Sequence, residues 1–473
     1  ARRRLVFEEL FLLAIGLKKL RRRRDELSCA PWADTDLVDF YAALPFDLTG
    51  AQRRAIGEIT ADLRSGRPMN RLVQGDVGSG KTMVAAAALV CAARSGFQGA
   101  LMAPTEILAE QHYQGLAPLL ERLGITCGLL TGAMRAKERR EVLARLADGE
   151  LDVVIGTHAL ISADVSYARL GLVVTDEQHR FGVAQRSALS AKGERPHLLV
   201  MSATPIPRTL ALIIYGDLDV SVIDELPPGR QKIDTFAVTS AYRQRIYAFL
   251  RKEIAAGRQA YIICSMVEKG EEVPDERKAV TEYAAMLQEK VFPDLRVAYV
   301  HGRMKPREKD AVMAAFAAGE RDILVSTTVV EVGVDVPNAT VMVVEDADRF
   351  GLSQLHQLRG RVGRGQHKSY CILISDNRNE ETRRRLKVMT QTGDGFKIAE
   401  EDLRLRGPGD FFGRRQHGLP ALKVADLSCD MALLKEAQGA AEDLLKRDPE
   451  LRDHPRTALR VAQLLEVNAD AMN

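Results

Sequence analysis

Residues 75–82 combine glycines, a lysine and a threonine at the spacing of a loop that binds triphosphates. The segment lies between an apolar run and an Ala- and Val-rich stretch that favours a helix, and it reads Gly75, Asp76, Val77, Gly78, Ser79, Gly80, Lys81 and Thr82. Glycines let backbone N–H groups turn towards phosphate oxygens, the lysine reaches the β- and γ-phosphates, and the threonine hydroxyl is a ligand for Mg²⁺. The segment therefore predicts a nucleoside triphosphate site that uses Mg²⁺.

An acidic pair, Asp176 and Glu177, closes the apolar run 172–175. An aspartate at a strand end near a phosphate loop can hold Mg²⁺ through water, and the adjacent glutamate can polarise the attacking water. Acidic pairs after strands are common, so this pair indicates a catalytic site only because a phosphate loop precedes it in the same α/β pattern. Together the two motifs predict nucleotide hydrolysis, with Thr82 and Asp176 on the metal and Glu177 as the base.

Three arginines separated by glycines follow much later, at Arg359, Arg361 and Arg364. The transition state of phosphoryl transfer needs positive charge on the γ-phosphate, which an arginine from another domain often supplies. Arginines at this spacing would be costly in a buried core. We therefore expect Arg361 and Arg364 to point at the phosphate.

The length and the apolar pattern indicate how these residues are positioned. A chain of 473 residues exceeds one hydrophobic core, and two or three domains are expected. Short continuous apolar runs stand at 71–73, 101–103, 153–155, 172–174 and 198–201, and a second series stands at 261–264, 297–300, 323–326, 341–344 and 371–374. They alternate with helix-like stretches over 45–224 and again over 225–375, which predicts two α/β lobes with parallel sheets covered on both faces. The second lobe has no phosphate loop, so it serves the first. A basic helical lead-in over 1–44 and a charged, helix-rich tail over 376–473 complete the expected organisation.

The composition, 46% apolar and 28% charged, is that of an ordinary globular protein, and a net charge of +3 does not by itself indicate a nucleic-acid partner. Six scattered cysteines without metal or disulfide spacing suggest buried thiols in a reducing compartment. No apolar run has the length of a transmembrane helix. We therefore expect a cytoplasmic protein without membrane contact, whose basic lead-in is a solvated face or connector in preference to a DNA contact.

Three segments, 176–182, 202–210 and 357–364, together resemble the motifs of superfamily 2 helicases. Closer still, the chain resembles the RecG family of bacterial branch-migrating DNA helicases, from the lead-in helix to near the C-terminus. The more specific markers are the segments 46–52, 176–183 and 404–418. The resemblance implies two tandem RecA-like lobes, a mainly helical translocation region in the tail, and an ATP-dependent helicase and translocase for duplex and branched DNA, including stalled forks and Holliday junctions.

The resemblance also implies roles at matching positions. For ATP, these are Phe46 and Gln52 at the adenine and Gly333 and Asp335 at the ribose. For the DNA backbone, they are Pro104, Thr105, Thr131, Gly132, Thr157 and His158 in the first lobe, with 301–302, Thr327 and Thr328 in the second. For coupling of hydrolysis to movement, they are Gln178, His179, Ser202, Ala203, Thr204, Arg404, Arg406 and Gln416. Short hydroxyl residues and backbone amides at loop tips bind phosphate without reading the bases.

The same resemblance implies ATP and Mg²⁺ as cofactors, a monomer, and single-stranded DNA-binding protein as a partner. RecG proteins carry an N-terminal wedge domain with an oligonucleotide-binding fold that grips the fork. Nothing in the sequence precedes the lead-in helix, no aromatic-rich β-barrel pattern occurs anywhere in it, and Trp32 lies in a loop-like segment that suits a structural role. The chain is therefore expected to hold the motor portion without the wedge.

Other interpretations remain open from the sequence. The transcription–repair coupling translocase shares the 176–182 motif and the Gly/Arg region of the tail, although the 46–52 segment and the short tail favour RecG. An RNA helicase of the DEAD type fits less well, because residues 176–179 read Asp-Glu-Gln-His. A different class is an ATP-gated clamp that binds nucleic acid and releases it after one hydrolysis.

Overall fold

The computed structural model describes residues 2–25, 28–176, 188–204, 218–228, 230–264, 276–327, 335–406, 422, 424–425 and 430–467. Only the backbone is described for residues 20–25, 276–279, 306, 406, 431 and 465–467. The chain divides into two compact units. The first comprises Ala1–Gly75, Gly80–Glu225 and Leu403–Asn473, and the second comprises Asp76–Ser79 and Leu226–Asp402. Each unit contains one parallel sheet, as the apolar runs predict.

Seven strands form the sheet of the first unit, in the order β3-β4-β2-β5-β6-β1-β7, and every neighbouring pair is parallel. They are β1 (Asn70–Gly75), β2 (Gln98–Met102), β3 (Cys127–Leu130), β4 (Val153–Gly156), β5 (Leu170–Thr175), β6 (His197–Ser202) and β7 (Asp219–Ile223). The helices before β4 in the chain are α1 (Arg2–Asp25), α2 (Val38–Ala43), α3 (Gly50–Arg64), α4 (Lys81–Arg94), α5 (Glu106–Arg122) and α6 (Ala136–Ala147).

Helices cover both faces of this sheet. In β5, Leu172 and Val174 belong to one apolar cluster, whereas Val173 between them belongs to another on the opposite face. Because alternate residues of a strand point to opposite faces, both faces must be apolar, and the strand reads as a continuous apolar run. This is the pattern from which the sequence predicts the central strands.

The sheet of the second unit has six parallel strands in the order β10-β11-β9-β12-β13-β8. They are β8 (Ile233–Val238), β9 (Gln259–Ile263), β10 (Val297–Val300), β11 (Ile323–Ser326), β12 (Ala339–Val344) and β13 (Ser369–Ile374). The helices that follow are α7 (Arg243–Ala255), α8 (Glu276–Met286), α9 (Pro306–Ala317), α10 (Leu352–Arg359), α11 (Glu380–Gln391) and α12 (Gly395–Arg406).

Three strands, β3, β7 and β8, have no counterpart among the predicted apolar runs. All three lie at the edge of a sheet. In β8 no residue is buried, and Phe236 is 49% exposed. An edge strand is only partly covered, so polar residues interrupt its apolar pattern and no continuous apolar run marks it.

The lead-in helix α1 packs on two helices of the tail, α13 (Met431–Arg447) and α14 (Pro455–Val467). Val6, Leu10 and Leu13 are buried in an apolar cluster with Leu434 of α13. Basic side chains of α1 form ion pairs with acidic residues of the tail, namely Arg2–Asp430, Arg3–Glu436, Lys18–Glu442 and Lys19–Glu450. Exposed pairs of this kind stabilise little, but they give the basic lead-in acidic partners within the chain, which favours a packing role over DNA contact. Within the described residues, no helix has both the length and the apolar character required to cross a bilayer.

A buried histidine joins the segment after α1 to the first sheet. His197 opens β6 and is 2% exposed, its Nδ1 accepts from the backbone N–H of Met69 at 2.9 Å, and Trp32 meets its ring edge-on at 4.6 Å. Burial lowers the pKa of His197 to about 4. Trp32 is itself 3% exposed and stacks on Phe97, in keeping with the structural role expected for it.

Mild acid is expected to destabilise the fold through His197. A histidine in the unfolded chain has a pKa near 6.5, whereas the folded value is about 4. The stabilising contribution is therefore complete above pH 6.5 and is lost as the pH falls through 4, a change of about 3 kcal/mol in the free energy of unfolding. Urea unfolding between pH 4 and 7 should show a shallower pH dependence for His197→Gln, whose amide oxygen can still accept from Met69. Equal pH dependence in the two proteins would refute this assignment.

Candidate nucleotide-binding and DNA-binding sites

The phosphate loop connects β1 to α4, as the sequence predicts. The strand ends at Gly75, and the helix begins at Lys81. Gly78 and Gly80 have φ values of 74° and 82°, in the left-handed region that favours glycine. Lys81 is buried, and its Nζ donates to the carbonyl oxygen of Gly75 at 2.9 Å. The ammonium group of Lys81 thus lies against the phosphate loop. The predicted β- and γ-phosphate ligands would bind at this loop.

The predicted nucleotide residues of the first unit follow three neighbouring strands. Asp176 comes directly after β5, Ser202–Thr204 begins at the end of β6, and the phosphate loop follows β1. These strands are consecutive in the sheet, in the order β5-β6-β1. Gln74 of β1 donates its Nε2 to the carbonyl oxygen of Thr204 at 3.2 Å, and Thr204 N–H donates to Ser202 Oγ at 3.2 Å. The predicted coupling segment is therefore bonded directly to the strand that carries the phosphate loop.

The predicted DNA contacts of the first unit follow the three strands on the other side of the same sheet. Thr131 and Gly132 come after β3, 157–158 after β4, and Pro104 and Thr105 after β2, in the sheet order β3-β4-β2. Hydrogen bonds join these loops, from Thr157 N–H to Leu130 O at 3.3 Å and from 103 N–H to 156 O at 2.8 Å. Strand order thus separates the predicted DNA residues from the predicted nucleotide residues.

Two of the predicted threonines are buried, which changes how they could act. Thr131 is 3% exposed and Thr157 is 1% exposed, and the hydroxyl of Thr157 accepts from the N–H of Ala159. Their neighbours Gly132 and His158 are exposed. A phosphate at this edge would therefore meet backbone amides and the His158 side chain in preference to these two hydroxyls.

Asp176, the predicted metal ligand, has a partner that the sequence analysis missed. His112 of α5 is 8% exposed, and its Nε2 lies 2.8 Å from Asp176 Oδ2. The available signal was a histidine on the buried face of α5, one turn from Ala109 and Leu116. A polar residue among apolar neighbours at helical spacing needs a hydrogen-bond partner, and this one finds it at the predicted metal position.

The oxygen donors at this position fit Mg²⁺. Thr82 offers a hydroxyl in the first turn of α4, and Asp176 offers a carboxylate directly after β5. Mg²⁺ takes oxygen ligands and commonly uses one or two from protein together with phosphates and water. In the part of the chain that the structure describes, no group of three or more His, Cys, Asp or Glu residues could hold a metal ion.

The two predicted adenine contacts lie before and within α3. Phe46 is 49% exposed, whereas Gln52 is 2% exposed. Gln52 Oε1 accepts from Thr49 N–H at 2.8 Å, and Gln52 N–H donates to Thr49 Oγ1 at 3.2 Å, which together form a capping box. The cap fixes the orientation of the Gln52 amide.

In the second unit, the predicted finger arginines follow α10. Arg361 is 4% exposed. Arg364 donates from Nε to Gly360 O at 3.3 Å and forms an ion pair with Asp335 at 3.4 Å. The structure therefore brings together Arg364, predicted at the γ-phosphate, and Asp335, predicted at the ribose.

Arg359, the first of the three arginines, has a structural role. It is buried and donates to the carbonyl oxygens of Met389 and Thr392 at 2.8 and 2.9 Å, and so holds the C-terminal end of α11. Burial lowers the pKa of the Arg359 guanidinium. A third hydrogen bond joins it to His356 Nδ1 at 3.0 Å.

The tip of the phosphate loop, Asp76–Ser79, belongs to the second unit. Within that unit, Asp76 Oδ1 lies 2.5 Å from His356 Nε2, and Asp76 Oδ2 accepts from Gly395 N–H at 3.2 Å. Burial raises the pKa of Asp76, but the hydrogen bond and charge of His356 help to outweigh burial, and the pKa lies below its usual value. His356 is a further residue that the sequence analysis did not identify.

The second-unit counterparts of the DNA loops also follow neighbouring strands. His301 comes directly after β10, and Thr327 directly after β11. Both residues are buried, at 4% and 1% exposure.

Two of the predicted coupling arginines lie at the end of α12. Arg404 is exposed in the last turn of this helix, and Arg406 is its last residue.

Several predicted residues lie outside the described part of the chain. They are Glu177, Gln178, His179, Thr328, Gly333 and Gln416. Their assignments stay predictions from the sequence.

Three segments of the chain match known protein families. Residues 49–213 match the DEAD/DEAH box helicase family, residues 242–366 match the helicase conserved C-terminal domain, and residues 392–473 match the ATP-dependent DNA helicase RecG, domain 3, C-terminal. Together with the two parallel sheets and the phosphate loop, these matches place the chain in the class of helicase-type proteins with two RecA-like lobes.

The relatives identify the family. The ATP-dependent DNA helicase RecG of Synechocystis sp. is 52% identical over 98% of this chain, and that of Bacillus subtilis is 51% identical over 97%. A solved structure of RecG bound to a three-way DNA junction has a TM-score of 0.77 and 48% identity over 92% of this chain. The chain belongs to the RecG family, which confirms the resemblance of its motifs. It spans 56% and 68% of the two relatives and 57% of the chain in that structure.

Replacing Arg364 tests its assignment to the γ-phosphate. Arg364→Ala should lower the turnover number for nucleotide hydrolysis by about 10³-fold, as for other arginine fingers, and leave nucleotide affinity nearly unchanged. Lys368→Ala removes a surface cation of the same unit and serves as the matched control. Normal hydrolysis by Arg364→Ala, or a loss that follows from unfolding seen by circular dichroism, would contradict the assignment.

Proposed function

We propose that this chain is an ATP-driven motor that moves on duplex DNA, and that the whole protein acts on branched DNA, such as stalled forks and Holliday junctions, in repair and recombination. The family supports this proposal, as does the RecG structure bound to a three-way junction. The observation that carries it is the strand order of the first sheet, β3-β4-β2-β5-β6-β1. It sets three loops suited to a phosphate backbone beside three loops suited to a nucleotide, at one edge of one rigid sheet.

Hydrolysis follows from the residues of the nucleotide group. Lys81 binds the β- and γ-phosphates. Thr82 and Asp176 would hold Mg²⁺, which would neutralise charge on the phosphate oxygens. Glu177 orients and polarises a water, which attacks the γ-phosphorus while the bond to the β-phosphate oxygen breaks. Arg361 and Arg364 stabilise the negative charge that spreads over the γ-phosphate oxygens in the transition state.

DNA binding follows from loops that carry amides and short polar side chains. Such loops contact the phosphate backbone, so binding is expected to depend on salt and to be insensitive to sequence. The remaining proposed coupling residues, Arg404, Arg406 and Gln416, fall within residues 392–473, which match the RecG-specific family model. We assign this region to movement on the duplex.

The organisation and partners complete the proposal. Residues 1–44 form a packed lead-in, 45–224 the ATP-binding lobe, 225–375 the second lobe, and 376–473 the translocation region. We propose that the protein works as a monomer in the cytoplasm, with ATP and Mg²⁺, on duplex and branched DNA, and that single-stranded DNA-binding protein is a partner.

A roadblock assay distinguishes a motor from an ATP-gated clamp. The motor should hydrolyse ATP over many turnovers, faster with duplex DNA, and should displace a third strand bound to that duplex. Glu177→Gln should lower the turnover number about 100-fold or more, since general base catalysis contributes this much, and it should retain ATP binding and lose displacement. The exposed Glu194→Gln is the matched control. Single-turnover hydrolysis without displacement would contradict the proposal and favour the clamp.

A further inference from the structure

One helix of the first unit touches both groups of loops. Strand β2 lies between β4, which belongs to the DNA group, and β5, which carries Asp176. The helix that follows β2 is α5 (Glu106–Arg122). Its position in the sheet order therefore places it at the boundary between the proposed DNA contacts and the proposed nucleotide site.

The first turn of α5 is bonded to the loop after β3. Glu106 Oε1 accepts from the N–H of Ala133 at 2.8 Å. The same oxygen would lie 3.1 Å from a Cβ atom added to Gly132. Thr105, the residue before the helix, caps it by accepting from Leu108 N–H. The start of α5 thus fixes two of the three proposed DNA loops relative to each other.

The second turn of α5 reaches the proposed metal ligand. His112 lies six residues after Glu106, about 9 Å along the axis at the rise of an α-helix. A carboxylate only accepts hydrogen bonds, so the imidazole Nε2–H donates to Asp176 Oδ2, 2.8 Å away. The two side chains are 8% and 13% exposed. A hydrogen bond of this kind fixes the orientation of the carboxylate that it holds.

We propose that α5 links DNA engagement to the metal-binding carboxylate, with Glu106 and His112 as its positioning residues. When DNA displaces the loops after β2 and β3, the helix moves with them as a rigid body, and His112 carries the Asp176 carboxylate into or out of its position at Mg²⁺. This inference rests on the proposed function, which assigns Asp176 to Mg²⁺ and these loops to DNA. Through this link, DNA binding would stimulate ATP hydrolysis by way of contacts within the first unit. These contacts are separate from those of the coupling segment Ser202–Thr204.

The test measures the Mg²⁺ concentration that gives half-maximal ATP hydrolysis, with and without duplex DNA, in the full chain. His112→Ala should raise this concentration about tenfold or more, the usual effect of removing a partner of a metal ligand. His112→Gln, whose amide can still donate, should restore most of the wild-type value. Binding of a fluorescent ATP analogue in EDTA should stay within about twofold of wild type, because Asp176 acts through the metal.

A second variant tests Glu106, at the N-terminal end of α5. Glu106→Gln weakens the bond to Ala133 and should lower the ratio of DNA-stimulated to basal hydrolysis. Glu121→Gln, an exposed substitution on the same helix, should leave that ratio at the wild-type value. Thermal unfolding of each variant identifies any loss caused by misfolding.

The outcomes separate this inference from the proposed function. If Asp176→Asn shifts the Mg²⁺ dependence but His112→Ala does not, the link through His112 is wrong and the metal assignment stands. If His112→Gln is as defective as His112→Ala, the histidine is a packing residue, and the inference is again overturned. If Asp176→Asn itself has wild-type Mg²⁺ dependence, both the inference and the metal assignment fail.

Discussion

Every strand pair in both sheets is parallel, and the arrangement of the functional residues depends on this constraint. Parallel strands all end at the same edge of a sheet, so the loops that follow them meet there although they are far apart in the sequence. The phosphate loop, Asp176 and Ser202–Thr204 in the first unit all follow carboxyl ends of strands. The apolar residues that bury both faces of the sheet therefore also determine where the chemistry can occur.

Strand order then decides which loops become neighbours. In chain order, the loop after β1 precedes those after β2, β3 and β4, whereas in the sheet β1 lies beyond β5 and β6. This exchange groups the proposed nucleotide loops on one side of the sheet and the proposed DNA loops on the other. It also leaves β2 beside β5, so that α5 contacts residues of both groups. The hydrogen bond between His112 and Asp176 depends on this adjacency.

The sequence predicted the central strands, the two α/β lobes and the phosphate loop, because continuous apolar runs and a glycine-rich loop are strong local signals. It missed β3, β7 and β8, because edge strands are only partly covered and their apolar pattern is interrupted. It also missed His112 and His356, whose partners are distant in sequence and become adjacent only when the sheets form. Thr131 and Thr157 were predicted from residue type, yet their burial depends on packing that no local pattern encodes.

The central claim is that the strand order of the first sheet places the proposed DNA loops and the proposed nucleotide loops in two separate groups along the same edge. Hydrogen exchange followed by mass spectrometry tests it most directly, with the full chain alone, with duplex DNA, and with a non-hydrolysable ATP analogue. DNA should protect peptides that contain 104–106, 131–133 and 157–159, and the analogue should protect 75–82 and the residues directly after β5 and β6. Protection by DNA at the opposite edge, in peptides around 95–98 and 148–152, with none in the three loops, would contradict the account.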